Sequence, residues 1–233
     1  MNKEIEHLNW DSNLFGYKVG KISLKIDEDE NKINFPGNSK AFKLIYIFSE
    51  KALDEEFCRT NNASLVDIKV ELVKILDHKT LIDAASTNII QLSSLNNALL
   101  DLVFQSGTYS RFKIDSKFVA NEFEKLYQIW IENSLKSENT LVFGYIINNE
   151  LLGFQTLLLN DKEAEIGLIA VDANNRGTMI GKKMLNFACN SAIEKGIHHI
   201  KVSTQKHNEM AMNFYLKNGF VVVKNTYIYH IWQ

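Results

Sequence analysis

Two stretches concentrate residues whose types and spacing could do chemistry. The first runs from Glu165 through Ile169, Ala170 and Val171, and on through Asn175, Arg176, Gly177, Thr178, Met179, Ile180 and Gly181. It predicts a strand, a short turn, and a helix from Thr178 to Lys195 that presents Ile180, Met184, Ala188 and Ala192 on one face and ends at Gly196. The first N–H groups of such a helix have no partners inside it, and the helix dipole adds positive character there. A phosphate can bind at that end without many charged side chains. Gly177 and Gly181 would let a diphosphate approach the backbone closely. An Arg-Gly turn ahead of a helix is by itself more often a plain turn, and the Gly-Lys-Ser/Thr ending of a Walker loop is missing. The second stretch is a helix predicted from Glu209 to Asn218, capped by Asn208 and ended by Gly219. Tyr215 follows Asn208 by nearly two turns, so the amide and the phenol lie near one face.

Other chemistry-bearing residues are more scattered. Tyr109, Arg111 and Lys113 alternate along an expected strand, where Arg111 could clamp a diphosphate bidentately or sit on a solvated edge. His198 and His199 fit a turn after Gly196 better than a metal site, because no third ligand has suitable spacing. The acidic run Asp27 to Glu30 reads as a solvated surface. No bound metal is expected.

The elements that must position these residues are clearest in the second half. An amphipathic helix is expected within Asp115 to Leu135, from the spacing of Phe118, Phe123, Leu126, Tyr127, Trp130 and Ser134. Leu141 to Ile147, Leu151 to Asn160 and Glu163 to Val171 predict an antiparallel meander with turns at Asn148–Glu150 and Asp161–Lys162. Ile200 to Thr204 is a further strand, and Phe220 to Val223 and Thr226 to Trp232 are expected as two closing strands. Earlier, Val19 to Ile26 alternates like a strand, and Asp27 to Lys40, with Pro36 and Gly37, reads as a loop. Phe42 to Phe48 and Leu65 to Leu76 are expected strands, joined by a helix from Ala52 to about Arg59 as a crossover. Leu92 to Phe104 reads as a helix that Gly107 stops.

The chain has 233 residues, is 45% hydrophobic and 23% charged, and carries a net charge of −2. That is the composition of a globular protein long enough to bury a core. It gives no electrostatic reason to expect nucleic acid or an anionic membrane as partner, so an anionic ligand must be held locally. Cys58 and Cys189 lack metal-ligand spacing and suit a reducing compartment. The first ten residues lack the apolar run of a signal peptide, and no stretch approaches the roughly 18 apolar residues of a membrane helix. A cytoplasmic location is therefore expected.

Taken together, the strand, the Arg-x-x-x-x-Gly turn, the long helix, the next strand, the Asn-capped helix with its tyrosine and the Gly-Phe strand resemble the GNAT acetyltransferase superfamily over about Leu141 to Trp232. Further motifs are similar to those of TDP-fucosamine acetyltransferases and their relatives: LNWDSNLFG from Leu8 to Gly16, GTYSRF from Gly107 to Phe112, and STQ from Ser203 to Gln205 with Asn208 and Tyr215. The resemblance implies an α/β (α+β) chain with a central mixed, mostly antiparallel sheet flanked by helices. It implies a GNAT domain over 105–233, preceded over 1–104 by a smaller, incomplete GNAT-like domain. It implies an acetyl-CoA-dependent N-acetyltransferase acting on the amine of a nucleotide-linked, dTDP-type 4-amino-4,6-dideoxyhexose for bacterial surface polysaccharide.

Residue by residue, the resemblance implies that Ile169, Ala170 and Val171 offer backbone to pantetheine and that Arg176 to Gly181 take the CoA diphosphate. The turn departs from the family pattern at Met179, where a glycine is usual; a methionine still supplies its N–H. Asn208 is implied as a pantetheine contact, and Tyr215 as the acid that protonates the departing thiolate. A phenol near pKa 10 can serve a thiol near 8.5, given close geometry. Glu165 is a candidate general base for the sugar ammonium or a plain surface carboxylate, with His207 as its rival. Asp11, Phe15, Tyr109, Arg111 and Gln205 are implied as acceptor contacts. Alternative readings keep the fold but acetylate a protein N-terminus or small amine, or leave a catalytically silent CoA-binding module. The aromatic-rich last strand could extend a sheet across a homodimer.

Overall fold

The computed structural model of the chain describes residues 4–30, 39–77, 88–119 and 121–233. In chain order the elements are β1 (Glu6–His7), α1 (Asn9–Phe15), β2 (Val19–Leu24), β3 (Leu44–Ser49), α2 (Glu55–Thr60), β4 (Ala63–Ile75), β5 (Ile89–Gln91), α3 (Asn97–Ser106), α4 (Arg111–Ile114), α5 (Glu122–Lys136), β6 (Thr140–Ile147), β7 (Glu150–Leu159), β8 (Ala164–Val171), α6 (Ile180–Glu194), β9 (His199–Gln205), α7 (Glu209–Lys217) and β10 (Val221–Trp232). Single 3₁₀ turns form at Ser39–Ala41 and Ala173–Asn175. None of the described helices is long and apolar enough to cross a membrane.

The chain packs as two compact units. The first comprises residues 1–70, 205–207 and 224–233, and the second 71–204 and 208–223. The expected domain division between 104 and 105 falls inside α3, which belongs whole to the second unit. The reason is packing: a Cβ on Gly107 would come within 2.5 Å of Tyr127 and 2.6 Å of Phe123, so the end of α3 is pressed against α5.

In the first unit β2 pairs in parallel with β3, from Val19↔Leu44 to Leu24↔Ser49. The other neighbour of β3 is the C-terminal strand, antiparallel from Tyr227↔Ser49 to Trp232↔Leu44. The helix after β3 therefore does not link two adjacent strands, as the crossover expectation had it. A core of Ile22, Leu24, Ile45, Ile47, Leu53, Phe57 and Ile231 forms between this sheet and α2. Asp54 caps α2 by accepting from Glu56 N and Phe57 N.

In the second unit β5, β6, β7 and β8 form an antiparallel run, and β9 joins β8 in parallel. Both α3 and α6 pack on β7 and β8. Ile180 and Met184 of α6 sit where Gly153 of β7 leaves room, since a Cβ there would lie 2.9 Å from the Met184 sulfur. The buried stripe of α6 contains Ile180, Met184, Ala188 and Ala192, as its period predicts.

Several expectations are corrected. Residues 109–113 do not form a strand. Ser110 accepts from Phe112 N and starts the short helix α4, which buries Phe112. The closing residues form one strand, not two. Helix α1 occupies the Leu8–Gly16 motif, with Gly16 in the left-handed region at φ 77°. The expected loop at 27–40 lies outside the described residues over 31–38, which include Pro36 and Gly37.

Candidate active site

The floor of the site is made where β8 leaves its neighbours. Opposite β7 the register runs Gln155↔Ile169 and then Leu157↔Ile166. Thr156 thus faces two residues, Gly167 and Leu168, which is a β-bulge. Thr156 Oγ1 accepts from Leu168 N at 2.8 Å, and a Cβ on Gly167 would lie only 2.7 Å from that oxygen. On the other edge, β8 pairs with β9 only at Ala164↔Ile200, Glu165↔Lys201 and Ile166↔Val202. The ladder stops at the bulge while β8 continues to Val171, so the backbone of 167–171 is released from β9.

Beside this released strand lies a cavity of about 470 Å³. Ile169, Ala170 and Val171 form one side of it. Arg176, Gly177, Thr178, Met179 and Gly181 form the next, at the start of α6. Helix α7 contributes Asn208, Ala211, Tyr215 and Asn218, and the end of α3 contributes Gln105 and Ser106, followed by Thr108 and Tyr109. All of these residues belong to the second unit.

The start of α6 has the character of an anion cradle. Its first internal backbone bond runs from Lys183 N to Met179 O, which leaves the N–H groups of Ile180, Gly181 and Lys182 outside the helical ladder. Met179 stands at the N-cap without a side-chain cap bond, and it is exposed. Gly177 has φ 76°, a left-handed conformation that a side chain would strain. A Cβ on Gly181 would lie 3.6 Å from the Phe214 ring, so a larger side chain would fill the cradle. Open donors, a positive helix end and glycine spacing fit a diphosphate. The released strand and the largely apolar face of α7 fit a long, thin arm.

Tyr215 of α7 brings a phenol to the cavity lining. It is 2% exposed, and Phe214 and Phe220 hold its ring in T-shaped contacts at 5.3 Å. Burial pushes its phenol well above the ordinary value, so the hydroxyl stays protonated at working pH. Asn208 accepts from Ala211 N at 3.2 Å, which confirms it as the cap of α7.

Of the other expected residues, only Tyr109 lines this cavity. Ile180 is buried in the packing of α6. The Glu165 carboxylate lies 3.2 Å from the Lys201 ammonium, which also pairs with Glu163, and Glu165 does not line the cavity. The alternating pattern that suggested a common face for Tyr109, Arg111 and Lys113 breaks up in α4. Tyr109 lines the cavity, the Arg111 guanidinium stacks 4.4 Å from the Phe112 ring, and Lys113 pairs with Glu124. Asp11, Phe15 and Gln205 belong to the first unit. There Asp11 accepts from the Tyr46 hydroxyl at 3.4 Å, and Phe15 stacks on Tyr17. Gln205 ends β9.

The sequence reading missed Gln105, Lys182, Ala211, Phe214 and Asn218 in the lining. Ala211 and Asn218 were within reach: with Asn208 and Tyr215 they recur at helical spacing on one face. Gln105 gave no such signal, because its partners lie far along the chain.

Comparison with known proteins agrees with this geometry. A curated relative, the spore coat polysaccharide biosynthesis protein SpsD of Bacillus subtilis (strain 168), is 27% identical over 135 residues, covering 58% of this chain and 47% of that protein. The matched region thus spans about half the length of that relative. Among solved structures, a functionally unknown conserved protein from Staphylococcus epidermidis ATCC 12228 has TM-score 0.67 at 14% identity, covering 100% of this chain and 93% of that one. The tandem GNAT protein from the clavulanic acid biosynthesis pathway has TM-score 0.55 at 10% identity, covering 82% and 64%. At these identities the two structures speak for the fold alone. The acetyltransferase (GNAT) family model matches residues 108–220. Those residues hold the released strand, the open helix end and Tyr215, and they constitute an acetyltransferase domain of the GNAT family.

Proposed function

We propose that the chain transfers an acetyl group from acetyl-CoA to the amine of a nucleotide-linked 4-amino-4,6-dideoxyhexose, of the dTDP type, in the synthesis of a bacterial surface polysaccharide. The observation that carries the acetyl-CoA half is the convergence of three features on one cavity: the β8 edge released by the bulge, the uncapped start of α6, and the protonated hydroxyl of Tyr215. The acceptor half is supported by the relative named for spore coat polysaccharide biosynthesis and by the motifs at Leu8–Gly16 and Gly107–Phe112. The first unit is read as a reduced GNAT-like domain, a reading that the likeness to a tandem GNAT protein supports at the level of fold.

Acetyl-CoA supplies a thioester whose acetyl carbon the acceptor amine attacks directly. The backbone N–H groups at the start of α6 would hold its diphosphate, with Gly177 and Gly181 allowing close approach. The free backbone of Ile169 to Val171 would align the pantetheine arm along β8. Tyr215 holds a proton on its hydroxyl for the departing sulfur, and its aromatic neighbours fix where that proton is offered. The lining contains no carboxylate or imidazole among the described residues, and Glu165 is held by Lys201. The acceptor ammonium therefore gives its proton to water rather than to Glu165 in this reading.

A panel of nucleotide-linked 3-amino and 4-amino hexoses, assayed by CoA release, tests the proposal. Turnover on a dTDP-linked 4-amino sugar, well above that on polyamines or peptide N-termini, is the expected result. Turnover only on peptides or polyamines would overturn the acceptor assignment.

A further inference from the structure

Three backbone and side-chain groups between Asp172 and Arg176 converge on one amide of α3. Gln105 Oε1 accepts from Ala173 N at 3.2 Å and from Arg176 Nη2 at 3.2 Å. The Gln105 side chain also bonds the Asp172 carboxylate. Asp172 in turn accepts from Asn174 N at 3.0 Å and Asn175 Nδ2 at 3.1 Å. Arg176 Nε donates to Val171 O at 3.1 Å, which closes the turn on itself. Two of the guanidinium's donors are thereby spent within the protein, one on the turn and one on Gln105, so the anion cradle draws on backbone N–H groups, whose placement the turn dictates.

We propose that Gln105 is the positioning residue of the donor site, tying the 171–176 turn to α3 so that the start of α6 meets the diphosphate of CoA in register. This rests on the acetyl-CoA reading above. One side-chain amide matches the turn at both its ends, accepting from Ala173 and Arg176 and bonding the carboxylate of Asp172. A hydrocarbon of the same size would leave Ala173 N and Arg176 without this acceptor, and misplacements of about 1 Å in a preorganised site cost up to about a hundredfold. Gln105 itself lines the cavity, at the junction of the α3 wall and the α6 wall.

The test begins with calorimetric affinity of the wild type for CoA, alongside its turnover. Gln105→Leu should then raise the CoA Kd and the acetyl-CoA KM about tenfold while kcat stays within about twofold, the signature of lost ground-state placement. Gln105→Glu keeps the acceptor oxygens but sets a second carboxylate beside Asp172, and it should also weaken CoA. Adding Asp172→Asn to Gln105→Glu restores a donor opposite the new carboxylate and should return the Kd to within about threefold of wild type. That reciprocal rescue is decisive even where Gln105→Leu does not fold. A folded Gln105→Leu with wild-type CoA affinity and only a lowered Tm overturns the proposal, leaving acetyl transfer intact. A Gln105→Glu, Asp172→Asn pair no better than Gln105→Glu alone overturns it too. A wild type that binds no CoA overturns both this and the reading it rests on.

Discussion

Helices α6 and α7 both begin on the same cavity, yet their first turns are treated in opposite ways. At α7 the Asn208 side chain accepts from Ala211 N, so one of the free donors of the helix end is consumed within the protein. At α6 the N-cap is Met179, which caps nothing, and Gly177 and Gly181 keep the approach open. Both ends carry the same dipole. What separates a structural helix end from an anion site is whether the chain closes the end itself. The closed helix presents a side chain, Tyr215, and the open one presents backbone. The proton donation and diphosphate binding proposed above thus fall to different helices.

The largest effect is expected from removing the side chain that the closed helix presents. Tyr215→Phe deletes one oxygen and keeps the ring in its aromatic contacts, so kcat should fall by about a hundredfold or more, the usual share of a general acid. Acetyl-CoA affinity should stay within a few-fold. A variant with kcat nearly intact would return Tyr215 to a packing role. The same substitution has a signature in pH. The buried phenol has a raised pKa in the folded state, while the unfolded chain ionises near the ordinary value of about 10. Stability from this group is full below about pH 10 and is lost as pH rises beyond it. Alkaline unfolding should therefore be less steep in Tyr215→Phe than in wild type.

Next in size is closing the open helix. Met179→Asp gives α6 a side-chain cap and sets a negative charge where the diphosphate is proposed to sit. Acetyl-CoA should bind at least about tenfold more weakly, while the protein gains about 1 kcal/mol of stability from the cap. A capped, stabilised variant with unchanged affinity would break the contrast between the two ends. Opening the closed end is the converse. Asn208→Ala should cost about 1 kcal/mol, read as a lower Tm, because Ala211 N loses its acceptor. The smallest effect is expected at Glu165. Its partner Lys201 remains paired with Glu163, so Glu165→Gln should leave kcat within a few-fold and the pH profile unmoved. Loss of the alkaline-rising limb of that profile would instead make Glu165 the base.

The legible parts of the molecule are those decided by neighbours in sequence. The caps at Asn208, Gly196 and Gly219, the period of α6 and the Arg176–Gly181 turn could be read because short-range sterics and helix ends dictate them. The segment 109–113 misleads because Tyr109, Arg111 and Lys113 alternate like a strand, while the deciding feature is the hydroxyl of Ser110. Strand β10 reads as two because Lys224 and Asn225 interrupt its apolar run, yet Ser49 to Leu44 of β3 hold its second half straight. The pairing of Glu165 with Lys201 and the Gln105 clamp join residues far apart in sequence, and no local pattern carries that information. The first unit carries little local signal for the same reason: β3 is completed by the last strand of the chain.

The most direct test of the open helix end is to titrate wild type and Met179→Asp with acetyl-CoA and with acetyl-pantetheine, which lacks the diphosphate. Diphosphate binding at this end predicts a loss of about tenfold or more for acetyl-CoA in the variant and almost none for acetyl-pantetheine. Equal losses on both ligands, or none on either, would contradict diphosphate binding at the start of α6.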